Sequence, residues 1–581
     1  MGSRPKLPGK PASRTNHLMF RNLRGPIVVS LLLTFSIIEP LAPIGVAQQQ
    51  PQRERRVAPT ASPSPSPSRS PTPDDVSDSP AQPSQVPPAV QQRPTASTTR
   101  TLADLQARIL EILRRPQLAP ATIGIKVASL ETGKVLFEQN ANKLLSPASN
   151  MKLYTVAAGL DRLSPDYRFV TSVYAAANPD ASGIVHGDLT IYGRGDPSIA
   201  ARFNGDYFKG IDDLAARIAA AGVKQVAGDL VGDESYFSGL PYGSGWQWED
   251  LQWGFGAEVS ALSVNDNLVN LSISPGRQVG APAIVSTDLP DPLLTINNHL
   301  TTAARGTKRN LLVHRGLDSD VVEIQGSMAL DDAGFSGRLG VARPALLFIY
   351  LLRSSLAKKG VMVSGKSRTV APYLSAIRAN TAPASGLVEL TNLPSPPFSL
   401  IAAQTLKPSQ NLYAELILRT LGRVVPLSNP NAIDVARTSE SNGVEVVRAF
   451  LREAGVDASA LSLSDGSGLS RDDMVTADAT LQLLTYMRRH RYANAFRDAL
   501  PIAGVDGTIR NRMKGTPAQN NLRAKTGELR SASSLSGFVT TAAGEELVFS
   551  IMVNNYPDGV NPPSICIDPI AVLLASFAGH S

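Results

Sequence analysis

A serine and a lysine stand three residues apart in the stretch 146-SPASNMKLYT-155, as Ser149 and Lys152. An unassisted serine hydroxyl is a poor nucleophile and needs a neighbouring base. Positions i and i+3 share one face of a helix, so the two side chains can meet. Burial, the positive end of the helix and a second cation would each lower the pKa of Lys152 and make it a base. The pair is therefore a candidate hydrolytic dyad.

The spacing alone is weak support for this interpretation. Ser355 and Lys358 repeat it in a second predicted helix, residues 344–360. There we interpret the pair as an ordinary solvated helix face. The dyad at Ser149 therefore needs further residues to support it.

Two such motifs follow along the chain. Ser409 and Asn411 stand at the head of a predicted helix within 407-KPSQNLYAELILRTLG-422, and Lys525-Thr526-Gly527 lies on a predicted strand. Each is weak by itself, because a Ser or Asn at a helix start is most often a cap and strand lysines are common. The glycine would let a ligand backbone approach closely. In the order Ser-x-x-Lys, Ser-x-Asn, Lys-Thr-Gly, the three motifs are typical of penicillin-binding proteins and serine β-lactamases.

The elements that must position these motifs are predicted from hydrophobic periodicity. Residues 102–114 predict an amphipathic helix, and residues 121–140 predict a hairpin around a Glu-Thr-Gly turn. The helix 344–360 has Pro at its start and Gly at its end. An antiparallel sheet edge and a packing helix are predicted near the C-terminus, from three strands and an apolar segment (520–527, 531–542, 546–556 and 564–577).

A wider resemblance supports the three motifs. The chain resembles the class C low-molecular-mass penicillin-binding proteins, the D-alanyl-D-alanine carboxypeptidase/endopeptidase family, over roughly residues 101–581. The family's long insertion between the first two motifs is matched here, since 256 residues separate Lys152 from Ser409 and 113 separate Asn411 from Lys525. Further stretches carry the likeness: 193-GRGDPSI-199, 259-VSALSVNDN-267, 465-DGSGLSR-471 and 502-IAGVDGTIRNRMKGT-516.

This resemblance implies an α/β (α+β) fold. A transpeptidase-like domain, related to the serine β-lactamases, would combine an antiparallel sheet with flanking helices. It would be built from residues 101–174 and 396–581. Residues 175–395 would form an inserted region of two smaller domains.

The resemblance also implies roles for the motif residues. Ser149 would attack the carbonyl of the penultimate D-Ala and form an acyl-enzyme, while Lys152 accepts its proton. Ser409 would relay a proton to the leaving amine, and Asn411 would bind the substrate amide and orient Lys152. Lys525 would be the second cation, the nearby positive charge that lowers the pKa of Lys152, and it would also attract the substrate's terminal carboxylate. No cofactor or metal is implied.

One position departs from the family pattern. Thr526 would hydrogen-bond the substrate carboxylate, and the backbone N–H groups of Ser149 and Glu528 would hold the oxyanion. The family often has a small hydroxyl residue where this chain has Glu528, and an ionised glutamate cannot donate a hydrogen bond to a carboxylate. Its backbone N–H still serves, so only the carboxylate contact is affected.

The N-terminus predicts export. Three arginines (Arg14, Arg21 and Arg24) precede the apolar run 26-PIVVSLLLTFSII-38, and Gly45 and Ala47 offer a cleavage site, so residues 1–47 are interpreted as a signal peptide. The alternative is an uncleaved anchor, but the run of 13 residues falls short of the ~20 that span a bilayer. The predicted location is the periplasm or extracytoplasmic cell envelope, with peripheral membrane association left open.

Composition describes the rest of the chain. Residues 48–100 contain 12 of the 44 prolines and predict a disordered tether. Residues 1–100 hold 12 Lys/Arg and 5 Asp/Glu, while the remainder holds 44 of each sign, so the pI near 9.4 does not indicate a nucleic-acid surface. The single cysteine, Cys566, excludes an intrachain disulfide and is predicted to be buried.

The expected partners, implied by the family resemblance, are peptidoglycan stem peptides, ending in D-Ala-D-Ala or cross-linked, and β-lactams as covalent inhibitors.

Other functions were weighed against this one. A β-lactamase or related esterase is shorter and lacks the insertion. A Ser-His-Asp hydrolase or a zinc peptidase is disfavoured by six histidines in 581 residues, without Gly-x-Ser-x-Gly or His-Glu-x-x-His. A further alternative is a wall-binding scaffold protein whose enzyme fold has lost its activity. Such a protein would not need the five candidate catalytic side chains, and all five are present (Ser149, Lys152, Ser409, Asn411 and Lys525).

The departure at Glu528 generates a prediction. Glu528→Thr should increase release of D-Ala from a peptide ending in D-Ala-D-Ala, because a hydroxyl can donate to the terminal carboxylate and the negative charge is removed. Turnover measured by assay of free D-Ala checks this, with Glu528→Gln separating loss of charge from gain of the hydroxyl. An unchanged or lower rate for the threonine variant would count against the carboxylate contact.

Overall fold

The computed structural model describes residues 99–288, 293–317, 319–370, 386–426 and 437–581. The predicted signal peptide and nearly all of the predicted tether lie outside these residues. Thr99, at the end of the predicted tether, is buried, and its carbonyl accepts a hydrogen bond of 2.9 Å from the backbone of Ala578. Among the described helices, none is both long enough and apolar enough to cross a membrane.

The regular elements are numbered in chain order. The α-helices are α1 (Leu102–Leu113), α2 (Met151–Leu163), α3 (Ala201–Asn204), α4 (Lys209–Ala220), α5 (Pro344–Lys358), α6 (Phe398–Leu406), α7 (Asn411–Val424), α8 (Ser439–Glu453), α9 (Ala477–Arg489), α10 (Ala493–Ala499) and α11 (Asp568–Ala575). The strands are β1 (Thr122–Ser129), β2 (Val135–Gln139), β3 (Val170–Ala175), β4 (Ile184–Val185), β5 (Leu189–Tyr192), β6 (Gln225–Val226), β7 (Leu230–Asp233), β8 (Leu268–Ser274), β9 (Ile284–Thr287), β10 (Thr295–Ala303), β11 (Asn310–Arg315), β12 (Val321–Ala329), β13 (Phe335–Gly340), β14 (Met362–Val363), β15 (Ser367–Val370), β16 (Val388–Pro394), β17 (Arg523–Leu529), β18 (Ala532–Thr540) and β19 (Glu546–Asn554).

A five-stranded antiparallel sheet joins the two ends of the described chain. Its strand order is β17-β18-β19-β1-β2, so β17, which carries the Lys-Thr-Gly motif, is an edge strand. The predicted amphipathic helix, hairpin and three consecutive strands are confirmed. Because β1 pairs with β19 near the middle of the sheet, the sheet is complete only when residues 122–129 pair with residues 546–554.

Alternation along the central strands gives the sheet two buried faces. Val127 and Phe549 are paired across β1 and β19 and lie in one hydrophobic cluster with α1 and α11. Their neighbours Ala128 and Val548 point the other way, into a cluster with α2 and α6 to α10. The result is a sheet between two helical layers, the α/β (α+β) architecture that was expected. Cys566 is buried in the α1/α11 layer, as predicted.

A second, mixed sheet lies in the middle of the sequence, in the order β15-β7-β5-β3-β16. Three smaller sheets accompany it: β14-β6-β4, β10-β12-β11 and β13-β8-β9. Because β3 and β16 pair with each other, we propose that the inserted region begins near Val170, a few residues before the predicted start at 175, and ends near Pro394, next to the predicted end at 395. Its division into two domains stays a prediction.

The helix that carries the second Ser-x-x-Lys pair differs from expectation. Helix α5 is confirmed, but Ser355 is buried and its hydroxyl donates to a carboxylate oxygen of Asp212, so the expectation of a solvated face was wrong. Ser355 lies one turn from Leu352 and beside Leu356, on the face that packs inward. Lys358 is exposed and lies over the ring of Phe208.

Candidate active site

Ser149 lies in a short 3₁₀ turn, Ala148–Asn150, that leads directly into α2. Ala148 has a left-handed φ of 47°, which is unfavourable for a residue with a side chain. The central sheet holds the turn in place, because the Ser534 hydroxyl on β18 donates a 2.7 Å hydrogen bond to the Pro147 carbonyl. Ser149 is therefore presented on a constrained corner between the sheet and α2.

Lys152, in the first turn of α2, is fully buried. Its Nζ lies 2.8 Å from Ser149 Oγ, 2.6 Å from Asn411 Oδ1 and 2.7 Å from the carbonyl oxygen of Ser467. The latter two oxygens can only accept hydrogen bonds. A neutral amine, with two N–H bonds and one lone pair, satisfies both of them and keeps its lone pair for the Ser149 hydroxyl. The geometry suits a base that takes the serine proton.

The orientation of Asn411 agrees with this arrangement. Asn411 is the first residue of α7, and its Nδ2 donates a 2.8 Å hydrogen bond to the carbonyl of Phe255. Reversing the amide would place two acceptors against each other at Phe255, and two donors against each other at Lys152 when that lysine is protonated.

Burial lowers the pKa of Lys152 to about 7. Three carboxylates oppose this shift, in the order Asp465, Glu415 and Asp473. The sequence suggested that burial, the helix N-terminus and a second cation would lower the pKa of Lys152. Burial is the dominant influence, and the charges that modify this pKa most are the nearby carboxylates rather than a cation.

Lys525 on β17 is the second buried lysine of the site. Its Nζ donates hydrogen bonds of 2.8 Å each to Ser409 Oγ and to the carbonyl of Thr526. Burial, followed by the charge of Lys152, holds the pKa of Lys525 well below its usual value. The repulsion expected between these two lysines is present, and it disfavours the state in which both are protonated.

Ser409 precedes α7 with a left-handed φ of 64°. The cap of α7 is the next residue, Gln410, whose Oε1 accepts a hydrogen bond of 3.1 Å from the Leu412 backbone. Ser409 is thus not used as a helix cap, and its hydroxyl instead contacts Lys525. Two hydrogen-bonded groups result, one centred on Lys152 and one on Lys525, and together they contain all five candidate catalytic residues.

The rest of the Lys-Thr-Gly segment borders this site. Thr526 Oγ1 lies 2.8 Å from the hydroxyl of Thr508. Gly527 runs so close to the Ser149 turn that a Cβ there would come 2.3 Å from the Pro147 carbonyl and 3.0 Å from the Ser149 nitrogen. Glu528 is exposed.

Sequence reasoning assigned no role to the turn that contributes Ser467. The stretch 465–471 was recognised only as a family likeness, yet its Ser467 carbonyl binds Lys152. Asp465 organises the turn by accepting hydrogen bonds from the Ser467, Gly468, Leu469 and Ser470 backbones (3.0, 2.6, 3.2 and 3.1 Å) and from the Ser467 hydroxyl (2.8 Å). An Asp followed by Gly and Ser is a turn signal that could have drawn attention to it. Thr508 was missed as well.

A central antiparallel sheet with helical layers, and a Ser-x-x-Lys turn facing its edge strand, define a penicillin-binding-protein fold. The sequence model of the D-Ala-D-Ala carboxypeptidase 3 (S13) family matches residues 105–577. The chain belongs to this family of serine peptidases.

Individual relatives agree with the family match. A D-alanyl-D-alanine carboxypeptidase of Actinomadura sp. (strain R39) is 34% identical over 490 residues, 82% of this chain and 86% of that protein. The D-alanyl-D-alanine carboxypeptidase DacB of Haemophilus influenzae is 24% identical over 444 residues, 76% of this chain and 86% of that protein. The crystal structure of penicillin-binding protein 4 (DacB) from H. influenzae has a TM-score of 0.66 at 23% identity, covering 80% of this chain and 97% of that chain.

The close approach of Gly527 generates a prediction. Gly527→Ala should push β17 away from the Ser149 turn and slow acylation by benzylpenicillin by about 10²-fold, the usual effect of a misplacement near 1 Å. Adduct formation followed by intact-protein mass spectrometry measures the rate. The control is Gly316→Ala, whose Cβ would meet, among the residues that the structure describes, only Ser319 Cβ at 3.7 Å. A wild-type rate for Gly527→Ala would show that the approach is not required.

Proposed function

We propose that this protein is an exported serine-type D-Ala-D-Ala carboxypeptidase that also cleaves peptide cross-links, acting through an acyl-enzyme on Ser149. The observation that carries the proposal is the position of Lys152 Nζ, 2.8 Å from Ser149 Oγ, with both of its N–H directions taken by Asn411 and Ser467. The lone pair of this buried amine is directed to the one hydroxyl that must lose a proton.

In the acylation step, Ser149 Oγ forms a bond to the carbonyl carbon of the penultimate D-Ala. Its proton passes to Lys152 Nζ, and the carbonyl oxygen becomes an oxyanion. The backbone N–H groups of Ser149 and Glu528 are the proposed donors to that oxyanion, and losing one such donor commonly lowers the rate ~10²–10³-fold. The nearness of Gly527 to Ser149 supports this pairing of the two backbones.

The intermediate then collapses, and the C–N bond to the last D-Ala breaks. The leaving amine needs a proton, which Ser409 is proposed to relay from protonated Lys525, because Lys525 Nζ donates a hydrogen bond to its hydroxyl. Water then hydrolyses the resulting ester: its oxygen bonds to the acyl carbon as the bond to Ser149 Oγ breaks, its proton passes through Ser409 back to Lys525, and Lys152 returns its proton to Ser149 Oγ.

Recognition of the substrate's carboxylate is assigned to Lys525 and Thr526. The pKa of Lys525 is lowered by burial and by Lys152. An incoming carboxylate supplies the missing negative charge and favours the protonated form of Lys525. Lys525 therefore becomes protonated as the substrate binds. The hydroxyl of the next residue, Thr526, is held by a 2.8 Å hydrogen bond with the Thr508 hydroxyl.

The proposed substrates are peptidoglycan stem peptides, either ending in D-Ala-D-Ala or cross-linked, and β-lactams are the proposed covalent inhibitors. The names of the relatives and the predicted signal peptide support an extracytoplasmic location. Assay of products from defined muropeptides, with and without a cross-link, separates the carboxypeptidase activity from the endopeptidase activity.

The role of Ser149 has a direct test. Ser149→Ala should abolish both the penicillin adduct and D-Ala release, a loss of at least about 10³-fold, because the nucleophile is removed. Ser355→Ala is the matched control, since Ser355 has the same Ser-x-x-Lys spacing but lies in the inserted region against Asp212. Mass spectrometry of the adduct and assay of free D-Ala provide the readouts. An adduct on Ser149→Ala, or none on the folded wild-type protein, would refute the proposal.

The pKa of Lys152 generates a prediction of pH dependence. Since its pKa is about 7 and the neutral amine is the base, the acylation rate should fall roughly tenfold per pH unit below that value and level off above it. Stopped-flow acylation from about pH 5 to about pH 9 measures the profile. Lys152→Arg, which stays charged, should be inactive throughout. A rate that is constant down to pH 5 would contradict the assignment of the base.

A further inference from the structure

Both acceptors that hold Lys152 are themselves contacted by the inserted region. Asn411, whose Oδ1 accepts from Lys152, donates its Nδ2 to the Phe255 carbonyl at 2.8 Å. The Ser467 carbonyl belongs to the turn organised by Asp465, and Asp465 Oδ2 accepts a 2.8 Å hydrogen bond from Trp246 Nε1. Phe255 and Trp246 lie in the inserted region, far from α2 in sequence.

Trp246 has a particular place among the partners of Asp465. The carboxylate is fully buried, and its other partners come from the same turn: the donors of residues 467–470 and the side chain of Asp473. In the described part of the chain, the indole N–H is the donor that connects Asp465 to another element. It therefore fixes the turn relative to the rest of the site.

The segment around Trp246 packs tightly on the catalytic elements. A Cβ on Gly245 would lie 2.3 Å from Ser470 Oγ, so this backbone runs directly against the turn. The backbone N–H and the hydroxyl of Ser244 each donate a 2.9 Å hydrogen bond to the buried carboxylate of Glu440 on α8. The Trp246 ring packs against a cluster that includes Leu412 at the head of α7.

We propose that Trp246 is a positioning residue for the base Lys152, acting through Asp465 and the Ser467 carbonyl, so that the inserted region takes part in acylation itself. The inference rests on the proposed function, since it concerns the same lysine. It adds that the insertion helps to set the geometry of the reacting groups.

The electrostatic consequence has a definite sign. The charged groups that act on the pKa of Lys152 are Asp465 and Asp473 from the turn and Glu415 from α7, while the neighbouring cation, Lys525 on β17, has its own pKa lowered by Lys152. Burial raises the pKa values of Glu415 and Asp473 well above the usual range, and Asp465 is the largest of the influences that oppose the lowered pKa of Lys152. The indole dipole offsets part of the negative potential of Asp465. Loss of the indole N–H would therefore favour the protonated form of Lys152. The pH below which the acylation rate falls would then be higher.

The test compares acylation by benzylpenicillin as a function of pH in the full-length protein. Trp246→Phe removes the N–H, and a second variant carrying 3-benzothienylalanine at position 246 replaces the N–H by sulfur at nearly the same ring size. Both should shift the acid midpoint upward by roughly 0.5 unit, which lowers the rate below the midpoint about threefold. Trp248→Phe is the matched control, because Trp248 is exposed in the same segment. Its profile should equal that of the wild type.

The outcomes separate the two proposals. If the wild-type protein forms no adduct on Ser149, the proposed function fails. If it does, and both variants at position 246 keep the wild-type midpoint, the role of Trp246 is overturned while the function stands. A lower rate at all pH values with an unchanged midpoint also overturns it, because general loosening of the fold lowers the amount of active protein without changing the titration of Lys152.

Discussion

One buried amine and its three oxygen partners constrain most of this site. In a low-dielectric interior, every N–H and lone pair of Lys152 needs a partner, since an unmatched buried polar group is costly. The oxygens come from the Ser149 turn, from α7 and from the turn at 464–473. These elements are distant in sequence, so the packing of the helical layer must bring them within hydrogen-bonding distance of one atom. The depressed pKa of Lys152, which its proposed role as a base requires, results from the same burial.

The backbone around this amine is unusually close-packed and partly strained. A Cβ on Gly468 would lie 1.9 Å from the Ala148 carbonyl, and one on Gly527 would lie 2.3 Å from the neighbouring Pro147 carbonyl. Ala148 and Ser409 adopt left-handed φ angles despite having side chains. Strain of this kind persists only where the surrounding structure determines it. Here the central sheet and α7 supply that support. The turn at Ala148 places the hydroxyl of the next residue, Ser149, beside Lys152, and Ser409 places its own hydroxyl beside Lys525.

The sequence could predict those parts of the site that depend on side-chain type and spacing. Ser149 and Lys152 were predicted because a serine nucleophile needs a base, and the order of the three motifs, with the family resemblance, added Ser409, Asn411 and Lys525. The Ser467 carbonyl could not be found in this way, because every residue has a carbonyl and only the fold selects one. For the fold, α1, the hairpin and the strands β17 to β19 followed from periodicity. The buried side of α5 was misjudged because the partner of Ser355, Asp212, is remote in sequence.

The inserted region is better understood as part of the active site than as an addition to it. Without it, Asp465 would lose its indole partner, Glu440 would lose both donors from Ser244, and the Asn411 amide would lose the Phe255 carbonyl. Each of these groups is buried or at the edge of burial, and an unsatisfied buried polar group costs ~1–3 kcal/mol, more when it is charged. The penalties would fall on Asn411, which holds Lys152 directly, on Asp465, which organises the turn that holds it, and on Glu440 of the adjoining α8. Hydrogen bonds thus tie the long interruption between the first two motifs to the candidate site, so the geometry around Lys152 depends on the sequence between those motifs.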